Sequence, residues 1–511
     1  MTVLLPEIRD ELIPSYQKEL NEKQKVLFVG QMISSGTATA GTLIEKIGNA
    51  NQQDNLFGKA SMLATMVRSA KKINNGSRFD AIALADVGAG VAATGTIAFS
   101  GTASAAGTIV VTIGSLVNNT YSLSISASDT ATAIGDKLIA AIVADSTSLV
   151  TGVNTDGSVA LTYAHKGEEG NDVGLYVSGT VAGVTYAVTA MASGATNPVL
   201  TSIFDLCGNN RYQTIVLPAT YSTAEVISFL GERFNAPKRI LDGVAIVCHS
   251  DTVENLISEA EALNSQSLVI FGNKAINETY YKAQSMLEMG CVVASQFAAL
   301  RSLRLTDNSD LSEYVISTNG ARDAFGGTKA ASLPYFNTPF YNLPLIPSSY
   351  ELTDQEMEDL TEAGVAILGN NPGRTGIICG QVVTTYKTDP ASNPDKTFEF
   401  LNYVDTETNI REYMVDNLRA RLSQSRLTDG DVVPNVNMVN GGMIGAFIDG
   451  LYNDLSGEEY VLTQGGTDAM KYFKENRNVV IDIAQGLATV TMIVPIVTQL
   501  RKIYISTQIS F

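Results

Sequence analysis

Residues 25–32, KVLFVGQM, read as a short apolar strand ending at a glycine turn, and residues 82–87, IALADV, read as a second. Between them, Gln53 to Lys72 carries helical periodicity, with Leu56, Ala60, Leu63, Met66 and Val67 on one stripe. Strand, helix, strand opens an α/β domain. The same alternation resumes far downstream. Strands are expected at Thr214–Leu217, Val244–Cys248 and Leu268–Phe271, with helices from Ser222, from Asp251 and over about Tyr280–Leu300. Ser222 and Glu225 have capping-box spacing, and Val226, Leu230 and Phe234 recur every four residues. Repeated βα units predict a partly parallel sheet.

The interruption has its own composition. From about Gly88 to Asn197 the chain is Ala, Gly, Ser, Thr and Val, with Lys137 and Lys166 its only basic residues. Runs at Thr108–Ile113, Tyr121–Ile125, Val159–Tyr163 and Leu175–Val177 are β-prone. Asp156-Gly157 signals a hairpin, and Ile134, Leu138, Ile139 and Ile142 signal one helix. The expectation is a mostly-β module inserted into a discontinuous α/β domain, residues 89–197 within 25–88 plus 198–350.

Prolines 334, 339, 344 and 347 suggest an extended connection and a boundary, after which residues 351–511 form a C-terminal domain. There Thr353 and Glu356 form a capping box, Leu352 can staple to Met357, and Gly364 ends the helix before a strand at Val365–Leu368. Strands are expected at Thr375–Tyr386 and Thr397–Val404, then helices at Thr408–Ser425, about Gly442–Tyr452 and Asp468–Arg477. Residues 1–24 read as an N-terminal arm. The whole chain is thus α/β and α+β, multidomain.

The chain ends in two strand-like runs. Val490, Met492, Val494 and Ile496 share one phase, with Ile493 and Val497 apolar on the other, so this run is expected to be buried on both sides. Ile503, Ile505, Ile509 and Phe511 then alternate with polar residues, after a phase change at Thr498–Arg501 that reads as a bend. An apolar edge at a chain end either closes an internal sheet or pairs with another subunit. Residues from about 479 onward are therefore read as a terminal strand arm.

With 511 residues and a net charge of -18, the chain divides into several domains and repels phosphate backbones, so direct nucleic-acid binding is not expected. Glu7, Arg9, Asp10 and Glu11 exclude a secretory core at the start, and the longest late apolar run, Ala488–Val497, is too short to span a membrane. The four cysteines are far apart and form no CxxC pair, which suggests reduced thiols.

Catalytic constellations are not evident. Cys248 and His249 are adjacent on an expected strand and would point to opposite faces. His165 is placed in a loop without a role. Gly369–Gly376 (GNNPGRTG) lacks the Lys-Ser/Thr of a phosphate loop and reads as a turn. Asp156-Gly157 and Asp307–Asp310 lack calcium-loop spacing. No metal or cofactor is expected, and a hydrolase using Cys248 or His249 is a minor alternative. Two basic clusters stand out: Arg411, Arg419, Arg421 and Arg426 on or just beyond one helix, and Lys471, Lys474 and Arg477 on another. Both suit solvated helix faces or an attachment surface for an acidic protein.

The segment Gln52–Met66 (QQDNLFGKASMLATM) resembles the "LFG-x-GS-x-L-x-x-M" stretch of contractile tail sheath proteins of Mu-like bacteriophages, with Ala60 where that family has glycine. KVLFVGQ before it, Gly167–Asn171 (GEEGN), Glu362–Leu368 (EAGVAIL), Val383–Tyr386 (VTTY) and Tyr413–Leu422 (YMVDNLRARL) resemble further stretches in the family's order. The resemblance implies a non-enzymatic subunit that forms hexameric rings around a tail tube and contracts to drive the tube through a host envelope. Its partners would be further copies of itself, the tube protein, and baseplate and tail terminator proteins. It would be located in the virion tail after assembly in the host cytoplasm. A tailocin or secretion-type contractile machine is the alternative. Arms would be exchanged between neighbours, with Gly486 and the Thr498–Arg501 bend as hinges, and Arg419, Arg421, Arg426, Lys471, Lys474 and Arg477 would face the tube.

Overall fold

The computed structural model describes residues 24–48, 51–74, 76–114, 120–235, 240–275, 286–306, 335–341, 343–432, 437–456 and 463–498. Strand β1 (Lys25–Gln31) and β2 (Thr42–Ile44) are followed by helices α1 (Gln52–Phe57) and α2 (Met62–Ile73), then β3 (Arg78–Leu84). The single helix expected at 53–72 is two. Gly58 at φ 83° breaks the backbone, and Ser61 restarts it by accepting the Ala64 N–H on its side chain.

The alanine- and threonine-rich stretch folds as β4 (Ala92–Gly101), β5 (Gly107–Ile113), β6 (Thr120–Ile125), α3 (Ala131–Ala144), β7 (Val150–Thr155), β8 (Ser158–Lys166), β9 (Leu175–Ser178) and β10 (Val184–Ala192). Two antiparallel sheets, ordered β10-β4-β8-β7 and β6-β5-β9, enclose a core running from Ala93 to Met191. Asp156 (φ 51°) and Gly157 (φ 92°) make the two-residue turn between β7 and β8, because a type I′ turn needs positive φ at both positions. Strands β4, β7 and β10 carry too little apolar alternation to be read from sequence.

The chain returns through β11 (Thr214–Val216), α4 (Ala224–Phe234), β12 (Val244–Asp251), α5 (Val253–Leu263), β13 (Leu268–Lys274) and α6 (Met286–Thr306). The Ser222–Glu225 capping box is not formed. Thr223 is the N-cap without a side-chain bond, and Glu225 accepts instead from the Thr201 hydroxyl. Next come α7 (Asp354–Ala363), β14 (Val365–Asn370) and β15 (Ile377–Cys379). The Thr353–Glu356 capping box closes in both directions, and Gly364 adopts φ 97° at the helix end.

These strands build one eight-stranded sheet, ordered β15-β14-β13-β12-β11-β1-β3-β2. Its six central strands are parallel, and β2 and β15 run antiparallel at the edges. Val26 and Phe28 face the core under α2 and α6, whereas Leu27 and Val29 face the core under α4, α5 and α7. Burial on both faces explains the continuous apolar strands. The sheet does not stop at the proline-rich stretch where the sequence suggested a boundary, since β14 pairs with β13.

Helix α8 (Leu401–Leu422) starts within the strand expected at 397–404, of which only the isolated Val383–Phe400 bridge is β. Tertiary charge pairing decides this. Asp405, buried on the first turns of α8, accepts from Arg301 of α6 at 2.6 Å and from the Tyr335 hydroxyl at 2.6 Å. Arg301 also donates to the Gln213 carbonyl and the Thr214 hydroxyl at the start of β11. Beyond α8 come β16 (Arg426–Leu427), β17 (Met438–Val439), α9 (Gly441–Leu455), α10 (Thr467–Glu475), β18 (Asn478–Asp482) and β19 (Leu487–Thr491).

Arg301→Met and Asp405→Ala should each lower stability by about 3–5 kcal/mol, because each leaves a buried charge unpaired. The double variant Arg301→Met with Asp405→Leu should cost clearly less than the sum. Urea unfolding midpoints check this.

Candidate assembly surface

The C-terminal unit is held by a small apolar core. Ile410 and Met414 of α8 pack with Ile444, Ile448, Leu451, Tyr452 and Leu455 of α9 and with Phe473 of α10. The rings of Tyr452 and Phe473 stack at 4.1 Å. On this core lies a hairpin in which β18 and β19 pair antiparallel from Asn478–Thr491 to Asp482–Leu487. Val479, Ala488, Val490, Met492, Val494 and Ile496 pack inward. Val480, Ile483, Leu487 and Ile493 point outward, and Ile493 is 53% exposed.

This corrects the expectation of a run buried on both sides. Regular pairing ends at Thr491, and of the second apolar phase Ile493 faces solvent while Val497 is half-buried. Gly486 (φ 64°) lies in the hairpin turn, where its N–H donates to the Ile483 carbonyl. Ile496 bridges to Thr463 of the same chain. Ile503, Ile505, Ile509 and Phe511, with most of the N-terminal arm, lie outside the described residues. Among the described residues the hairpin is a two-stranded sheet, so each of its outer edges presents backbone groups to which a strand can add. Two strands alone are marginal in water.

The basic residues separate into two kinds. Arg477 lies against Gly445 and donates to both carboxylate oxygens of Asp449, at 2.9 and 3.3 Å, so it fastens the hairpin's approach to α9. Arg411 stacks on Phe234 and pairs with Asp242 and Glu407. These two hold the fold together. Lys471 and Lys474 on α10 are exposed and only loosely paired, with Glu475 at 3.9 Å and Asp449 at 4.0 Å. Arg419 is exposed beside Asp416, Arg421 lies over the Phe447 ring, and Arg426 is exposed on β16. The sequence grouped all of these by spacing, and only coordinates show which carboxylates reach them.

At the other end of the sheet, the carboxyl ends of β1 and β11 form the switch point, since β1 continues to a helix on one face and β11 to a helix on the other. Ligands of doubly wound sheets bind in that crevice. Here the inserted module fills it. His165, a residue of strand β8 and not of a loop, is buried and accepts the Met62 N–H at 3.0 Å on Nε2. Its Nδ1 faces Asp86 at 3.3 Å. Gln31 at the end of β1 donates to Asp86 and to the Lys166 carbonyl and accepts from the Tyr221 hydroxyl. Glu169 is buried where the Thr220 hydroxyl and the Cys291 thiol donate to it, and burial pushes its carboxyl up to about 7.

The Cys248–His249 pair splits as expected. Cys248 faces the α6 side, with burial pushing its thiol up to about 12, while His249 Nδ1 meets Glu259 at 2.7 Å on the α5 side. Burial so placed disfavours the thiolate, which is the nucleophilic form. The GNNPGRTG segment is the turn between β14 and β15, closed by bonds from Asn371 to Gly376 and from Arg374 to Asn371. Among the described residues no cluster of ligating side chains could hold a metal ion, and no helix is long and apolar enough to cross a membrane.

Lys471→Glu combined with Lys474→Glu should leave thermal stability within about 0.5 kcal/mol, as expected for exposed side chains. Arg477→Met should cost about 1–3 kcal/mol by stranding Asp449. Thermal unfolding of the three proteins separates the two kinds of cation.

No protein-family model matches the chain. It is 30% identical over 249 residues to the Mu-like prophage FluMu tail sheath protein of Haemophilus influenzae, covering 47% of this chain and 50% of that protein. The chain thus spans about half the length of the curated relative it matches. Similar solved structures include the sheath tail protein of Desulfitobacterium hafniense (11% identity, 93% of this chain and 97% of that chain, TM-score 0.43). Others are a sheath tail protein of Listeria innocua (11%, 95% and 94%, 0.46) and a chain of the anti-feeding prophage baseplate (10%, 95% and 93%, 0.48). By sequence, this chain is similar to the tail sheath protein of a Mu-like prophage.

Proposed function

We propose that the chain is the structural subunit of a contractile tail sheath, polymerising around a tail tube and contracting to drive that tube through a host envelope. The observation that carries this reading, beyond the sequence similarity, is the β18–β19 hairpin. Among the described residues it is a two-stranded sheet whose outer edges pair with no further strand, and residues 503–511 beyond it are amphipathic in the β period. In this reading Ile503, Ile505, Ile509 and Phe511 belong to a strand donated to the hairpin of a neighbouring copy. Backbone hydrogen bonds would supply the tether and the alternating apolar residues its register.

Hexameric rings, a tube partner on the Lys471 and Lys474 surface, baseplate and terminator partners, and residence in a virion tail all belong to this proposal. So does the division into an α/β wall, a projecting inserted module and a C-terminal unit. Contraction would then repack subunit interfaces between two arrangements using energy stored at assembly. A crevice plugged by the chain's own Glu169 and His165, and a thiol at Cys248 held protonated by burial, favour this over the hydrolase alternative.

Purified full-length protein should form long helical tubes in negative-stain images, whereas protein ending at Gln499 should give only monomers or small oligomers. Tubes from the shortened chain would rule out the donated strand. Failure of both proteins to polymerise under any assembly condition would count against the sheath reading itself.

A further inference from the structure

The inserted module leaves one of its sheet edges undefended. In the sheet ordered β10-β4-β8-β7 the outer strands are β10 and β7, and in the sheet β6-β5-β9 they are β6 and β9. An unpaired edge accepts a strand from another chain unless a bulge, a lysine or shortness blunts it. Strand β10 carries a register shift between Thr189 and Ala192, β6 has its Ser124 carbonyl taken by the Lys137 ammonium, and β9 is four residues long. Strand β7 (VTGVNT) has no bulge, proline or charge, and among the described residues it pairs with β8 alone.

The β7–β8 hairpin fixes which backbone groups point outward. Thr155 and Ser158 close the two-residue turn as a hydrogen-bonded pair, so bonded pairs recur at Val153–Ala160 and Thr151–Thr162. The Ala164 N–H, donated to the Leu149 carbonyl at 2.9 Å or less, keeps the same phase. The N–H and C=O groups of Val150, Gly152 and Asn154 therefore face away from β8. The Ser148 hydroxyl donates to the Val150 carbonyl at 2.9 Å, which leaves Gly152 and Asn154 to be matched.

The surroundings favour a second copy of this chain as the occupant. Thr151, Val153 and Thr155 are exposed on the outer face, Val153 at 67%, beside exposed Ser158, Ala160 and Thr162 of β8. No residue of β4, β7 or β10 is charged. In a chain of net charge -18 two copies repel over most of their surfaces, and a neutral edge is where that repulsion is least. Asp136 of α3, which borders the edge, accepts from Asn154 Nδ2 at 2.7 Å. The edge is also self-complementary. A two-fold axis at Val153 sets Gly152 opposite Asn154 of the second copy, so each outward N–H meets a C=O. Asp156 at the turn then stands opposite Val150 of the second copy, about 20 Å along the strands from its own counterpart.

We propose that two copies of the chain join edge to edge through β7, antiparallel about Val153, so that two inserted modules share one continuous sheet. Gly152 and Asn154 supply the backbone bonds, Val153 meets Val153 of the second copy, and Thr151 meets Thr155. The contact is small, and association through it is weak. It closes on itself and builds no filament, so it goes beyond the sheath reading and does not rest on it.

Cysteine crosslinking of the full-length protein tests this register. The four native cysteines are buried, so an introduced surface thiol is the reactive one. In a non-hydrogen-bonded antiparallel pair the Cα atoms lie about 4.5 Å apart, within disulfide reach. Val153→Cys should therefore give a disulfide-linked dimer on non-reducing gels after glutathione oxidation. Thr151→Cys alone and Thr155→Cys alone should not, because each lies about 14 Å along the strands from its own counterpart. An equimolar mixture of those two variants should crosslink, and its yield, like that of Val153→Cys, should exceed either threonine variant alone by about tenfold. All three positions are exposed, so the substitutions leave the fold intact. Absence of the Val153→Cys dimer, or equal crosslinking at all three positions, would overturn the pairing. Tubes formed by a Val153→Cys protein that does not crosslink would sink this contact and leave the sheath reading standing, whereas crosslinked dimers that never form tubes would do the reverse.

Discussion

The Arg301–Asp405 pair is the constraint on which the architecture turns. Arg301 is 3% exposed and Asp405 not at all, so neither charge has water to fall back on. Together they join α6, the start of β11, the Tyr335 hydroxyl and α8. A buried pair of this kind adds little net stability over apolar packing, but it tolerates few alternatives, because any arrangement that separates the partners strands a charge. Helix α8 is therefore fixed to the amino end of the parallel sheet, and the C-terminal core and hairpin are carried by that helix.

The opposite end of the sheet is closed by the inserted module. The carboxyl ends of β1 and β11 would ordinarily offer a crevice, and here they receive His165, Lys166 and Glu169. A sheet with one end committed to a helix and the other to a module works as a frame that holds two attachments in a set relation.

Much of the fold is legible in the sequence because local and tertiary preferences agree. The β1, β12 and β13 runs are apolar because both sheet faces are covered, and the Thr353 capping box forms from residues three apart, with Lys274 pairing to the same Glu356 carboxylate. The Asp156-Gly157 turn is likewise local chemistry. Where the reading failed, a distant partner decided. Residues 401–404 are β-prone, yet they are helical because Asp405 must meet Arg301. Glu225 is captured by Thr201. The division of the segment 52–73 into two helices is instead local, made by Gly58 and Ser61.

The candidate surfaces divide in the same way. Sequence alone determined that the chain is acidic, that its end is amphipathic with a strand period, and that Lys471, Lys474 and Arg477 share a helical spacing. It also determined the resemblance to sheath proteins, since that is carried by ordered local stretches. Only the tertiary structure decided that Arg477 is spent on Asp449, that the hairpin is two-stranded among the described residues, and that His165 joins two parts of the molecule. The reason is physical: periodicity and turn chemistry act over a few residues, whereas an ion pair or a buried acceptor depends on atoms that folding brings together from across the chain.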